Sequence, residues 1–217
     1  MSEVKVGRVI CDIIIFAFLI VCVFSMCVTV LSKKSSDGAA EIFGYQMRVV
    51  TSDSMAACEF TDVSAYEIKD IPVRSLVFVK AMPKTAAEAD AFYRSLQVGD
   101  VLTFRYVYTT QVTITHRITS ITEKETGGFI IELAGDNKNS ADSHLTQVID
   151  TSVPNNTNYV IGKVVGRSYV LGLVLDFMKQ PAGLVALVIV PCFIIIMFEV
   201  LKIARVLDED KRRSGNY

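Results

Sequence analysis

Ser54 lies in the polar run Thr51-Ser52-Asp53-Ser54-Met55. A serine hydroxyl is a poor nucleophile at its own pKa and needs a base within hydrogen-bond reach. The chain has only two histidines, and one of them, His116, stands in the alternating stretch Val112-Thr113-Ile114-Thr115-His116-Arg117-Ile118. A period of two puts Val112, Ile114, His116 and Ile118 on one strand face, with Thr113, Thr115 and Arg117 on the other. His116 therefore sits on the apolar face. A strand packed in a sheet would support an imidazole that must stay fixed beside a serine and a carboxylate. The plainer reading is a core histidine bonded to backbone. Downstream, Gly135-Asp136-Asn137-Lys138-Asn139-Ser140-Ala141-Asp142 offers two carboxylates. Ser, His and Asp in that order would suit nucleophilic acyl transfer with a base and an orienting acid. Three unrelated polar residues in turns would look the same. His144 has no comparable setting and reads as a surface residue.

The elements that must hold these residues read as mostly β. Residues 75–80, 101–107, 128–133 and 159–165 are rich in β-branched and aromatic side chains, and 112–118 alternates strictly. Gly99-Asp100 and Gly127-Gly128 mark turns. One helical interruption is expected over 85–96, where Thr85 can cap the run that begins at Ala86. Residues 151–158, with Pro154-Asn155-Asn156, read as a loop, and no internal repeat is evident.

Hydrophobic residues make up 51% of the 217, and charged residues 21%. The mean hydropathy of +0.41 is high for a folded domain with that much charge. Two apolar runs account for it. Residues 9–31 are interrupted only by Asp12, Ser25 and Thr29, and residues 182–203 contain Pro191 and Glu199. At 1.5 Å rise per residue each is long enough for a bilayer core of about 30 Å. The first has no small-x-small cleavage site and exceeds the usual signal-peptide core, so it reads as a retained anchor. Lys202 at the end of the second run and Arg205, Lys211, Arg212 and Arg213 beyond it, against Lys179 before it, place the C-terminus in the cytoplasm. The expected order is a cytoplasmic N-terminus (1–8), a membrane anchor (9–31), an external domain (32–180), a second span (182–203) and a basic cytoplasmic tail (204–217). A net charge of −1 gives no general attraction to nucleic acid. Cys11, Cys22, Cys27 and Cys192 lie in apolar runs, leaving Cys58 alone in the polar middle. Without CxxC spacing or clustered histidines, neither a metal nor another cofactor is expected.

The polar boxes also occur in a recognisable order. The chain resembles signal peptidase I of the endoplasmic-reticulum and archaeal type, the serine–histidine branch also found in Gram-positive bacteria. Ser52-Asp53-Ser54-Met55 resembles its nucleophile box. Residues 75–80 and 98–104 resemble the next two core strands. Thr115-His116-Arg117-Ile118 resembles the box with histidine where the main bacterial branch has lysine. Gly135-Asp136-Asn137 with Asp142 resembles the acidic box, and residues 161–166 the closing strand. Ala56-Ala57-Cys58 stands where a proline is common after the serine–methionine pair, and residues 58–71 and 85–96 resemble insertions.

The resemblance implies a β-rich catalytic domain with a short helical insertion between two transmembrane helices. It implies a multi-pass serine endopeptidase of the cell membrane, its catalytic domain on the extracytoplasmic face. Its substrates would be the signal peptides of exported preproteins, selected by small side chains at the first and third positions before the cut. Its partners would be the lipid bilayer and, as a further candidate, the secretion translocon. Ser54 would be the nucleophile and His116 the general base. The resemblance places the orienting acid at Asp142, with Asp136 in support; from the residues alone both aspartates stay open. A histidine base works only when neutral, and an imidazole ordinarily titrates near pH 6.5, far below a lysine at about 10.4. Two rivals share these features: a non-catalytic scaffold of the same fold, and a protease dedicated to one secreted fibre or pilus subunit. Neither the oligomeric state nor the preproteins cleaved can be read from the chain.

Overall fold

In the computed structural model the described residues are 15–16, 18–20, 23, 33–34, 39–57, 61–106, 112–140, 145–153 and 159–214. The chain divides into two compact units, one of residues 33–176 and the other of residues 1–32 with 177–217.

The first unit is a mostly antiparallel β domain. Its strands are β1 (Lys33–Lys34), β2 (Ala40–Ile42), β3 (Tyr45–Val49), β4 (Leu76–Ala81), β5 (Val101–Tyr106), β6 (Val112–Glu123), β7 (Phe129–Ala134), β8 (Gln147–Asp150) and β9 (Tyr159–Ser168). Among the described residues they form one sheet in the order β1-β2-β3-β4-β9-β5-β6-β7-β8. β9 is the central strand, pairing with both β4 and β5, and a register shift interrupts each pairing. The β-branched and aromatic runs expected as strands became β4, β5, β6, β7 and β9. Both faces of the sheet are covered. One carries Leu102, Phe104, Ile118, Ile131, Leu133 and Ile149, all nearly inaccessible. The other carries Val77, Val79, Val101 and Val164 together with Met55 and Ile71. Burying a side chain of this size contributes about 1.5–3 kcal/mol, so the two clusters fix the sheet from both sides.

The helical interruption is α1 (Ala86–Arg94). Thr85 does occupy its N-cap position, but no side-chain bond caps the backbone there. Its hydroxyl instead donates to the Glu88 carboxylate at 2.5 Å. The helix buries Phe92 against the first cluster.

Residues 1–32 and 177–217 make up the second unit. α2 (Tyr169–Lys179) runs on from β9 across the boundary between the units. It is followed by α3 (Pro181–Leu184), a π-helical turn (Val185–Ile189) and α4 (Val190–Ser214). Pro191 has no N–H to return to the preceding turn, and the π segment ends two residues before it. Among the described residues no helix is long and apolar enough to cross a membrane. The stretch expected as a span over 182–203 is instead divided among α3, the π turn and α4. The helix α4 then continues to Ser214, through most of the expected tail. Its first 18 residues include Glu199, Lys202 and Arg205. The expected anchor over 9–31 lies largely outside the described residues; its few described positions are helical.

Candidate active site

Ser54 belongs to no regular element. It sits in the turn after β3, and its side chain is buried. That turn is held from across the domain by the segment that follows β7. The Asn137 N–H donates to Ser54 O at 2.9 Å. The Asn137 side chain donates to Asp53 O at 3.1 Å, and the Ser140 hydroxyl to Asp53 Oδ1 at 2.7 Å. On its far side the Ile71 N–H reaches Met55 O at 2.9 Å, and Met55 is buried in the second cluster. Asp53 thus serves the turn, as its position beside the serine would lead one to expect. Ser52 Oγ lies 3.2 Å from Ser54 Oγ, within hydrogen-bond reach of the same oxygen.

His116 is 1% exposed, on β6. Leu102 is its cross-strand partner, and Phe104 meets its ring edge-on with centroids 6.3 Å apart. Nδ1 lies 2.7 Å from Oε1 of the buried Gln147 at the start of β8. Ser54 and His116 line one cavity of about 580 Å³. Ser52, Gln147 and the apolar side chains of Val50, Met55, Ile71 and Val77 line it too. The geometry therefore brings a serine hydroxyl and a strand-mounted imidazole to the same cavity, whose lining mixes polar and apolar side chains.

The aspartates fare differently. Asp136 is buried and gives both carboxylate oxygens to Arg117, whose Nε donates to Oδ1 at 2.9 Å and Nη2 to Oδ2 at 2.7 Å. Arg117 follows His116 on β6, so its side chain leaves by the opposite face. Its remaining donors reach Gly99 O at 2.7 Å and Ile68 O at 2.8 Å. Tyr66 lies under the guanidinium, 4.7 Å from ring centroid to Cζ. Gly99 has φ +98°, and a Cβ there would strike the Tyr66 ring, so glycine is required on both counts. Asp136, read from the resemblance as a supporting acid, meets a guanidinium. Asp142 and His144 lie outside the described residues.

Sequence reasoning missed Arg117 and Gln147. Alternation separated Arg117 from His116 but said nothing of what covers the second face. There the described part of the apparent insertion, residues 61–71, supplies Tyr66 and two backbone carbonyls. Gln147 carries no signal beyond its position ahead of Val148-Ile149.

Among the described residues no cluster of His, Cys, Asp and Glu could hold a metal ion.

No family model matches the chain. Signal peptidase I W of Bacillus subtilis (strain 168) is 34% identical to it over 131 residues, which is 60% of this chain and 55% of that protein. The chain spans about half the length of the curated relative it matches.

Proposed function

We propose, on the premise that this similarity supports a signal peptidase I family assignment, that the chain is a membrane-bound serine endopeptidase. It removes N-terminal signal peptides from exported preproteins. The observation that carries the reading is the cavity shared by Ser54 and His116.

In this reading Ser54 Oγ attacks the scissile carbonyl while its proton passes to His116. The imidazolium then returns that proton to the leaving amine, and water activated by the same ring releases the acyl group. Ser52, within reach of Ser54 Oγ, is placed to donate to that oxygen. The apolar wall of Val50, Ile71 and Val77 suits small, uncharged side chains near the cut. Asp142 is the proposed orienting acid and Asp136 its support through the architecture around Arg117.

The apolar runs at 9–31 and 182–203 are proposed to hold the enzyme in the bilayer, with both termini cytoplasmic and the β domain outside. A signal peptide is held in the bilayer by its own apolar core. Confining enzyme and substrate to one surface raises their effective concentration.

The test is cleavage of a preprotein by the full chain and by Ser54→Ala, both reconstituted in phospholipid vesicles. The variant should fold and insert normally and leave the preprotein intact. Normal processing by well-folded Ser54→Ala would exclude this serine as the nucleophile.

A further inference from the structure

We infer that Gly172 is a positioning residue for Ser54: it seats α2 against the segment that brackets the nucleophile turn. The inference rests on Ser54 being the nucleophile of the hydrolysis proposed above. Glycine inside a helix costs stability relative to alanine, so its presence in α2 calls for a reason. The reason is close approach. Gly172 is buried, and a Cβ there would strike the Arg74 carbonyl oxygen and lie 2.5 Å from Leu76 N and 2.7 Å from Ser75 C. These are backbone atoms, so no side chain can swing aside to make room. Carbon contacts ordinarily need about 3.5–4 Å, so a side chain at 172 would push α2 and residues 74–76 about 1 Å apart.

Two further contacts fix the seat. Ser168 ends β9 opposite Leu76, and its hydroxyl accepts from the Leu171 N–H at 3.3 Å. One turn past the glycine, Asp176 Oδ2 lies 3.3 Å from Arg74 Nε.

Residues 70–75 carry the seat to the serine. The Arg74 N–H donates to Val50 O at 2.8 Å, and the Val50 N–H to Ser75 O at 2.8 Å, which ties down the entry to the turn. The Ile71 N–H donates to Met55 O at 2.9 Å, and Asp70 Oδ1 accepts from the Ala57 N–H at 2.7 Å, which ties down the exit. Ser54 lies between the two. Arg74 has φ +70°, a conformation that costs energy and persists only where the surroundings hold it. Lifting α2 away removes one of the restraints that keep it so. In the proposed topology α2 leads into the second span, so the path from that span to the nucleophile runs through Gly172.

The experiment uses the full chain in phospholipid vesicles and a synthetic preprotein with alanine at the first and third positions before the cut. Gly172→Ala should lower kcat by about tenfold and Gly172→Val by about a hundredfold, with KM little changed, since a displacement of about 1 Å can cost that much. Helix propensity alone would favour the alanine variant. Amide hydrogen exchange should quicken at residues 50–57 and stay slow in β7, a local change that a general loss of stability would not give. A folded Gly172→Ala with wild-type kcat, or one whose kcat falls while exchange at 50–57 is unchanged, would overturn the inference. Should the valine variant fail to fold, the alanine variant decides. An alanine variant that also fails to fold would assign the glycine to the fold alone and overturn the inference too. Normal cleavage by Ser54→Ala would remove the serine reading and this inference together. An inactive Ser54→Ala beside a fully active Gly172→Ala would remove this inference alone.

Discussion

Two neighbouring residues of β6 face opposite sides of the sheet, and their surroundings are built on different terms. Arg117 is closed in: its carboxylate partner, the backbone carbonyls and the Tyr66 ring take up its charge and its donors. His116 is equally inaccessible to bulk water, yet it borders a cavity and is held at Nδ1 by a neutral amide. A buried charge must be compensated fully or the fold suffers. A base must keep one nitrogen for its work. One side of the strand therefore serves stability, and the other, in the proposed reading, serves proton transfer.

The sharpest way to break this contrast is to exchange the losses. His116→Gln should reduce turnover to background, a loss on the order of 10⁶-fold in a worked serine protease, with only a small change in thermal unfolding. A residual rate within a hundredfold of wild type, measured on a preprotein, would contradict that.

Next come the two aspartates. Asp142→Asn should cost on the order of 10⁴ in turnover, as an amide in place of an orienting acid can hold the wrong tautomer, with unfolding nearly unchanged. If Asp142→Asn stays active while a stable Asp136→Asn is dead, the roles of the two must be exchanged.

On the closed side the loss should appear as stability. Arg117→Leu leaves the Asp136 carboxylate buried without its guanidinium, and breaking a buried pair from one side costs about 3–5 kcal/mol. Denaturant unfolding of the full chain in detergent checks this. Loss of less than about 1 kcal/mol would mean that water or a rearranged loop replaces the guanidinium.

The smallest effect belongs to a partly exposed pair just beyond the end of β6. Hydrogen bonds from Lys124 and then Ser152 lower Asp150 from 3.8 to about 2. A carboxyl depressed on folding contributes stability above its ordinary value, and that contribution fades as pH falls from about 4 towards about 2. Asp150→Asn should slightly lower the unfolding temperature at neutral pH, since surface pairs contribute little, and that small difference from wild type should vanish as pH falls through the window. An equal acid slope in both proteins would assign it to other carboxylates.

The legible parts of the fold were those where hydrophobic pattern and burial agree. β4, β5, β7 and β9 carry runs of Val, Ile, Leu and Phe, and β6 alternates around His116. β3 escaped notice because its pattern is inverted. Gln46 is 1% exposed inside the sheet and accepts from Arg48 Nη2 at 2.6 Å, while Tyr45 and Met47 face outward. β8 was too short, at four residues, and begins with the buried Gln147. Ser54 and His116 were legible as a pair because their local boxes are distinctive. Their supports were not: Arg117 takes its partners from three distant segments, and a contact made only in three dimensions leaves no local trace in a chain.

The fastening of Asp53 and Ser54 to Asn137 and Ser140 bears on how this chain could be altered. The serine's position is set from two directions: a segment more than eighty positions downstream holds Asp53 and Ser54, while Ile71 holds Met55. A one-residue deletion between Ala134 and Asn137, remote in sequence, would drag the serine with it.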